Sequence, residues 1–414
     1  MTYVIVGAGP AGVVAAETIR KLDPHGKVVI VGDEPEPPYS RMAIPYLLIR
    51  NIDEQGTYLR KAPGHFEDSV EVVHGSVASV DSSAKSLRLS DGREMAYDAL
   101  LVATGSTPIL PPVPGIDGER VTTCWTLEDA RKIAEGLRPG ASVLLIGAGF
   151  IGCIILEALV ASGANLTVVE MGDRMVPRML DETCGAMLQD WCREKGVNVM
   201  TGAQVESIEH RDDVAAVRIS GGREVEAELV ISAAGVRANA GFLEGTGIEL
   251  SGGAVVVDRH MCSSVPGIYA AGDAACGRDF STGDYSVQAI QPTAVEHGRI
   301  AASNMVRHGS VTHQGCINMN VLDTIGLISV SYGQWEGIEG GDSVSLLDRD
   351  GYRYISLQFA GDQLIGANTL GITQHIGVLR GLIQGQFRLG HWKSRLMDNP
   401  LLIMEAYLAA TQGA

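Results

Sequence analysis

The chain has 414 residues, of which 45% are hydrophobic and 20% charged, a globular balance with material for two or three domains. Its net charge of -17 argues against a nucleic-acid partner, which requires clustered Lys and Arg to neutralise phosphates. No apolar run reaches the roughly 18 residues of a membrane span, and the amino terminus lacks the basic and apolar regions of a signal peptide, so a cytoplasmic protein with no membrane contact is expected.

The first apolar run, residues 3–6, opens directly onto GAGPAG, which starts at Gly7 and enters a helical pattern carrying Glu17. A second run, KVVIVGDE, ends in Asp33 and Glu34, and PYSR follows at 38–41. Residues 70–80 and 86–93 read as short strands. ALLVATGSTP reads as another, with Ala103, Thr104 and Gly105 at its turn. The prolines of PPVPGIDG, 111–118, exclude helix and central strand there and mark a domain crossing. The opening unit then returns: residues 142–146, GAGFIG from Gly147, a helical pattern with Glu157, and NLTVVEMGD with Glu170. A strand at 229–233 ends in AAGVRAN, where Gly235 echoes Gly105, and GIYAAGDAA at 267–275 carries Gly272 and Asp273. PTAVEHGRIAASNMVRHG reads as a helix. From about Gly315 the runs 343–347, 352–359 and 364–370 alternate around DRDG and AGDQ as an antiparallel meander. Amphipathic helices near 373–384 and 400–410 close the chain, and the second is the expected hydrophobic docking element of a carboxy-terminal interface domain.

A lone G-x-G-x-x-G is weak evidence, but here it stands twice between a strand and a helix in matching units. Gly7 and Gly147 make the turn, Gly9 and Gly149 let the backbone approach a pyrophosphate, and Gly12 and Gly152 let helix and strand close up. Pro10, Ala11, Phe150 and Ile151 then form the helix starts, whose unpaired N–H groups favour phosphate. Glu170, at the end of the second strand of its unit, accepts hydrogen bonds from a ribose and repels a 2′-phosphate, which favours NAD over NADP. Arg174 close by is the competing feature. In the first unit the equivalent acid is Asp33 or Glu34. Two dinucleotides are implied: a flavin and a nicotinamide, or two nicotinamides.

Seven cysteines, Cys124, Cys153, Cys184, Cys192, Cys262, Cys276 and Cys316, include no C-x-x-C pair and read as small buried hydrophobes. Neither an iron–sulfur cluster nor a structural zinc is expected, and the ten histidines show no paired spacing, so no metal site is expected. Hydride transfer needs positioning more than proton transfer, and no side chain is singled out as catalytic. His297 reads as a helix-surface histidine.

PYSR, ATG and AAGD, in order with the two glycine turns, resemble the two-dinucleotide flavoprotein family of rubredoxin and ferredoxin reductases, the flavin part of NADH-nitrite reductase, and glutathione reductase. The resemblance covers about the whole chain. It implies an α/β fold with two Rossmann-like dinucleotide-binding domains, glutathione-reductase-like, plus a carboxy-terminal α+β domain. The boundaries are 1–112 and 240–312 for FAD, 113–239 for NAD, and 313–414 for the interface domain. It also implies that Asp273 and Arg41 contact FAD and that the helix starting around Pro292 and Thr293 points its amino end at the flavin. Members that reduce disulfides carry two cysteines after the first unit, whereas PYSRMAIPYLL has none, so thiol relay chemistry is absent. Tyr46 stands where rubredoxin-reductase-like members often carry a lysine. The pattern is most similar to FAD subunits of NAD-linked complexes such as phenylglyoxylate dehydrogenase or tungsten aldehyde oxidoreductase. Such a chain passes electrons between NAD(H) and an iron–sulfur partner protein. The rivals are a stand-alone NADH:rubredoxin or ferredoxin reductase, a cysteine-free NADH oxidase, and a flavoprotein-derived binding subunit that has lost catalysis.

Overall fold

A computed structural model describes residues 1–60 and 70–412, which divide into two compact units: 1–107 with 236–316, and 108–235 with 317–414. The first is built on a five-stranded parallel sheet in the order Ile268–Ala270, Ala99–Val102, Thr2–Val6, Lys27–Gly32, Glu71–His74. Three of these strands (Thr2–Val6, Ala99–Val102 and Ile268–Ala270) are almost wholly buried, as a parallel sheet covered on both faces requires. Thr2–Val6 pairs on one side with the strand that follows it and on the other with one reached much later. The order therefore reverses at Thr2–Val6, which puts the Gly7 turn at the switch point where α/β sheets bind ligands.

The second unit repeats this plan. Its parallel sheet runs Val121–Thr123, Leu229–Ser232, Ser142–Ile146, Asn165–Val169, Asn198–Met200, with the Gly147 turn at the corresponding switch point. The same unit contains a five-stranded antiparallel sheet, Met319–Thr324, Leu327–Gly333, Gln363–Leu370, Arg353–Ala360, Asp342–Asp348. The last three confirm the meander. The hairpin Met319–Thr324 with Leu327–Gly333 has no Asn-Gly signature; its turn is Ile325 at φ +52° and Gly326 at φ +80°. A β-branched residue there is uncommon, and the Trp191 indole N–H, donating to the Thr324 and Ile325 carbonyls at 3.2 and 3.1 Å, holds it.

The closing helices are Ile376–Gly385, His391–Asp398 and Ile403–Gln412; the middle one was not expected. The helix Ile403–Gln412 is anchored in its own unit at two positions and leaves Leu408 exposed. Ile403 and Ala406 are 2% and 0% exposed and lie in the unit's own core with Leu379, Leu382 and Phe359. Among the described residues no helix is long and apolar enough to cross a membrane.

Candidate functional site

The two glycine turns are built alike. A Cβ on Gly7 would lie 2.1 Å from the Ala103 carbonyl oxygen, and one on Gly147 2.6 Å from that of Ala233. Both glycines take positive φ, +114° and +97°, where side chains are strained. A Cβ on Gly12 or Gly152 would meet the Gly7 or Gly147 oxygen at 2.0 or 2.3 Å. Beside Gly9 and Gly149 nothing lies within 4 Å. These two cap the helices Pro10–Leu22 and Phe150–Ala161, with no side-chain cap bond and no acid in either first turn. The outer glycines close the fold, and the middle one leaves an open, uncapped helix end that fits a pyrophosphate. Gly105 and Gly235, also at positive φ with open space around them, occupy corresponding turns.

Glu170 accepts from the Ala148 N–H at 2.6 Å and the Gly172 N–H at 2.7 Å, which fixes its carboxylate against the second glycine turn. Arg174 is turned away. It donates to the Leu180 carbonyl at 3.1 Å and pairs with Asp173 at 2.8 Å. In the first unit the register differs from the expectation for Asp33 and Glu34. Gly7 and Gly147 donate to the Val31 and Val169 carbonyls, so Gly32 is the counterpart of Glu170 and the acids come one and two residues later. Asp33 is exposed. Glu34 receives the Arg41 guanidinium at 2.6 Å and the Tyr39 hydroxyl at 2.5 Å.

Asp273 is reached by the Ser106 hydroxyl at 2.6 Å. Burial raises its carboxyl above the usual range, opposed by the Ser106 bond and the Arg41 charge. Arg41 thus connects the first acid cluster with Asp273. Ser40 meets Gln291 at 2.5 Å, joining PYSR to the start of the helix Gln291–Val306. That helix has Pro292 in its first turn and no acid or side-chain cap there; Thr293 is buried behind it. Tyr46 is exposed.

Sequence reading missed Asn239, which binds the Thr104 region through its backbone and side chain, and Gly298. A Cβ on Gly298 would meet the Ala11 oxygen at 2.4 Å, so this glycine lets Gln291–Val306 lie directly on Pro10–Leu22. A glycine inside a helix costs about 1 kcal/mol, and that cost was the available signal.

One expectation about histidine is corrected. His297 is 2% exposed, because the segment after its helix folds back over it. Burial, followed by His313, pulls its pKa down to about 3. Spacing pointed to no metal site; in three dimensions His297, His313 and Cys316 bring one ligand atom each within 4.8 Å of one another. All seven cysteines are buried and free, as expected, and none lies in PYSRMAIPYLL.

The profile of the pyridine nucleotide-disulphide oxidoreductase family matches residues 1–299. The NADH-dependent phenylglyoxylate dehydrogenase subunit epsilon of Aromatoleum evansii is 29% identical over 99% of this chain and 97% of its own. A probable ferredoxin reductase of Castellaniella defragrans is 31% identical over 73% of this chain and 75% of its own. Among solved structures, an NAD-dependent persulfide reductase from A. fulgidus is similar with a TM-score of 0.87, at 29% identity, over 94% of this chain and 78% of that one.

Proposed function

The chain belongs to the pyridine nucleotide-disulphide oxidoreductase family and is an oxidoreductase. From that premise we propose that it binds FAD and NAD(H) and passes electrons between NAD(H) and an iron–sulfur partner protein, as the NAD-reducing subunit of a larger complex. The observation that carries this reading is the end-to-end similarity to a dehydrogenase subunit, 99% of one chain against 97% of the other. It takes in the carboxy-terminal sheet as well as the dinucleotide units.

In this reading residues 1–112 and 240–312 hold FAD. The first glycine turn binds its pyrophosphate at the open end beside Gly9, with Gly105, Gly272 and Asp273 beyond the carboxyl ends of the neighbouring parallel strands. Residues 113–239 hold NAD at the Gly149 turn, Glu170 receives the ribose, and Arg174 is engaged with Asp173 and the Leu180 carbonyl. Residues 313–414 serve as the interface domain. A bound flavin would exchange two electrons with NAD(H) as hydride and single electrons with the partner. The protein's part is to hold and orient: the uncapped start of Gln291–Val306 directs a positive helix end, while Arg41 and Ser106 fix the carboxylates of Glu34 and Asp273. With no cysteine between Met1 and Cys124, electrons leave without a thiol relay.

The test is to purify the tagged chain from its source cells and alone. One FAD per chain, bleached by NADH, with rapid dye reduction, slow oxygen uptake and a co-purifying iron–sulfur subunit, is the expected result. Rapid oxygen consumption by the isolated chain would make it an oxidase instead. The ferredoxin reductase relative favours a second reading, a free-standing reductase, which efficient turnover with a soluble ferredoxin and no co-purifying subunit would establish.

A further inference from the structure

We infer that His297, His313 and Cys316 form a buried binding site for one zinc-class transition-metal ion. The ion would clamp the segment 307–316 to the helix Gln291–Val306. Nε2 of His297 lies 3.2 Å from Sγ of Cys316, and Nε2 of His313 lies 3.6 Å from the same sulfur. Zinc bonds of about 2.3 Å to sulfur and about 2.0–2.1 Å to nitrogen, opened to a tetrahedral angle, separate N from S by roughly 3.6 Å. The two imidazole rings stand nearly perpendicular, at 89° with centroids 4.8 Å apart, so they do not stack, and each turns its Nε2 to the same sulfur. The three residues are 2%, 6% and 7% exposed. Two imidazoles and one thiolate select zinc and its neighbours over magnesium or calcium, which take oxygen.

Hydrogen bonding alone accounts poorly for this arrangement. Nδ1 of His297 is buried with no partner. In one tautomer it is a donor with no acceptor, and in the other an acceptor with no donor, and either costs about 1–3 kcal/mol. A metal bond at Nε2 supplies an interaction large enough to hold the ring there.

The surroundings fix the ligands from several directions. The His313 N–H donates to the Arg259 carbonyl at 2.7 Å, and Cys316 exchanges backbone bonds with Arg278 and Phe280 at 3.0 and 2.7 Å. Gly315, at φ +107°, has no room for a Cβ, which would lie 3.0 Å from the Phe280 nitrogen. The hydroxyl of Thr293 reaches the Cys316 sulfur and is positioned to donate to a thiolate. Three protein donors leave one tetrahedral position for a water. Binding releases the thiol proton to solvent and changes no oxidation state.

The deciding experiment is metal analysis of the full chain with its cofactor bound, purified without chelator. About one zinc per chain is expected. Exchange with Co²⁺ is expected to give a sulfur-to-cobalt charge-transfer band. Cys316→Ser is expected to remove that band, and His313→Ala to lower metal content at least tenfold, with both variants folded by circular dichroism. If a variant does not fold, the cobalt spectrum of the unmodified protein decides. Protein that contains no metal and takes up neither Zn²⁺ nor Co²⁺ overturns the inference, as does bound cobalt without the charge-transfer band. A metal content that both variants leave unchanged places the ion elsewhere and equally overturns it.

Discussion

At Gly12 an added methyl would sit 2.0 Å from the Gly7 oxygen, whereas at Gly9 it would meet nothing in the protein. Gly9 also has φ -78°, which alanine adopts freely. Gly9→Ala is therefore expected to leave thermal unfolding of the cofactor-free protein within about 1 °C while weakening FAD binding about tenfold, roughly 1.4 kcal/mol. Gly12→Ala is expected to lower both, because the helix has to move away from the strand. Fluorescence titration with FAD beside a melting curve separates the two. For the coenzyme, the Glu170 carboxylate is already fixed by two backbone N–H groups. Glu170→Ala is expected to narrow the preference for NADH over NADPH in stopped-flow flavin reduction; equal rates in the unmodified protein would remove Glu170 from the role.

Helix contact sets a second level of constraint. Pro10–Leu22 and Gln291–Val306 meet where Gly298 faces Ala11, and any side chain at 298 enters backbone 2.4 Å away. Gly298→Leu is expected to cost more than the 1–3 kcal/mol typical of overpacking, read as loss of a cooperative transition or of bound flavin. In the carboxy-terminal unit, Ile403→Ala is expected to cost about 2–4 kcal/mol by chemical denaturation, since the side chain is almost wholly buried. Leu401 and Leu408, 40% and 46% exposed, are expected to accept serine at little cost. If Ile403→Ala proved neutral, the core of the unit would not be what holds this helix.

Over the whole molecule the cysteines other than Cys316 act as buried mass. Burial pushes the Cys124 thiol up to about 12 and holds those of Cys153 and Cys184 well above their ordinary 9.0. Below pH 9 these thiols are protonated in folded and unfolded chains alike and contribute no pH dependence. Above it the unfolded chain releases protons that the folded chain keeps, so stability falls by up to about 1.4 kcal/mol per pH unit for each thiol. The melting temperature is expected to be level from about pH 7 to 9 and to decline towards 12, with a shallower decline in Cys153→Ala. Replacing the six cysteines other than Cys316 by Ala or Ser is expected to leave NADH-to-dye transfer largely intact where folding survives, since none lies in PYSRMAIPYLL. Abolition by one such change would restore a thiol to the reaction.

Local features of the sequence determined the two strand–glycine–helix units, because the turn, the close approach and the helix start are all set within about six residues. The parallel strands were legible for a similar reason, since strands covered on both faces are continuous apolar runs. Contacts between distant segments were decided only in three dimensions. The register that makes Gly32 the counterpart of Glu170 depends on which carbonyl Gly7 meets across the sheet. The hairpin at Ile325 depends on an indole more than a hundred residues away. The His297, His313 and Cys316 cluster shows the limit most clearly: His313 and Cys316 stand three apart, a spacing one turn can use for a metal, but nineteen positions separate Cys316 from His297. Here a helix and the chain folded back over it supply the ligands, and that return is fixed by tertiary packing.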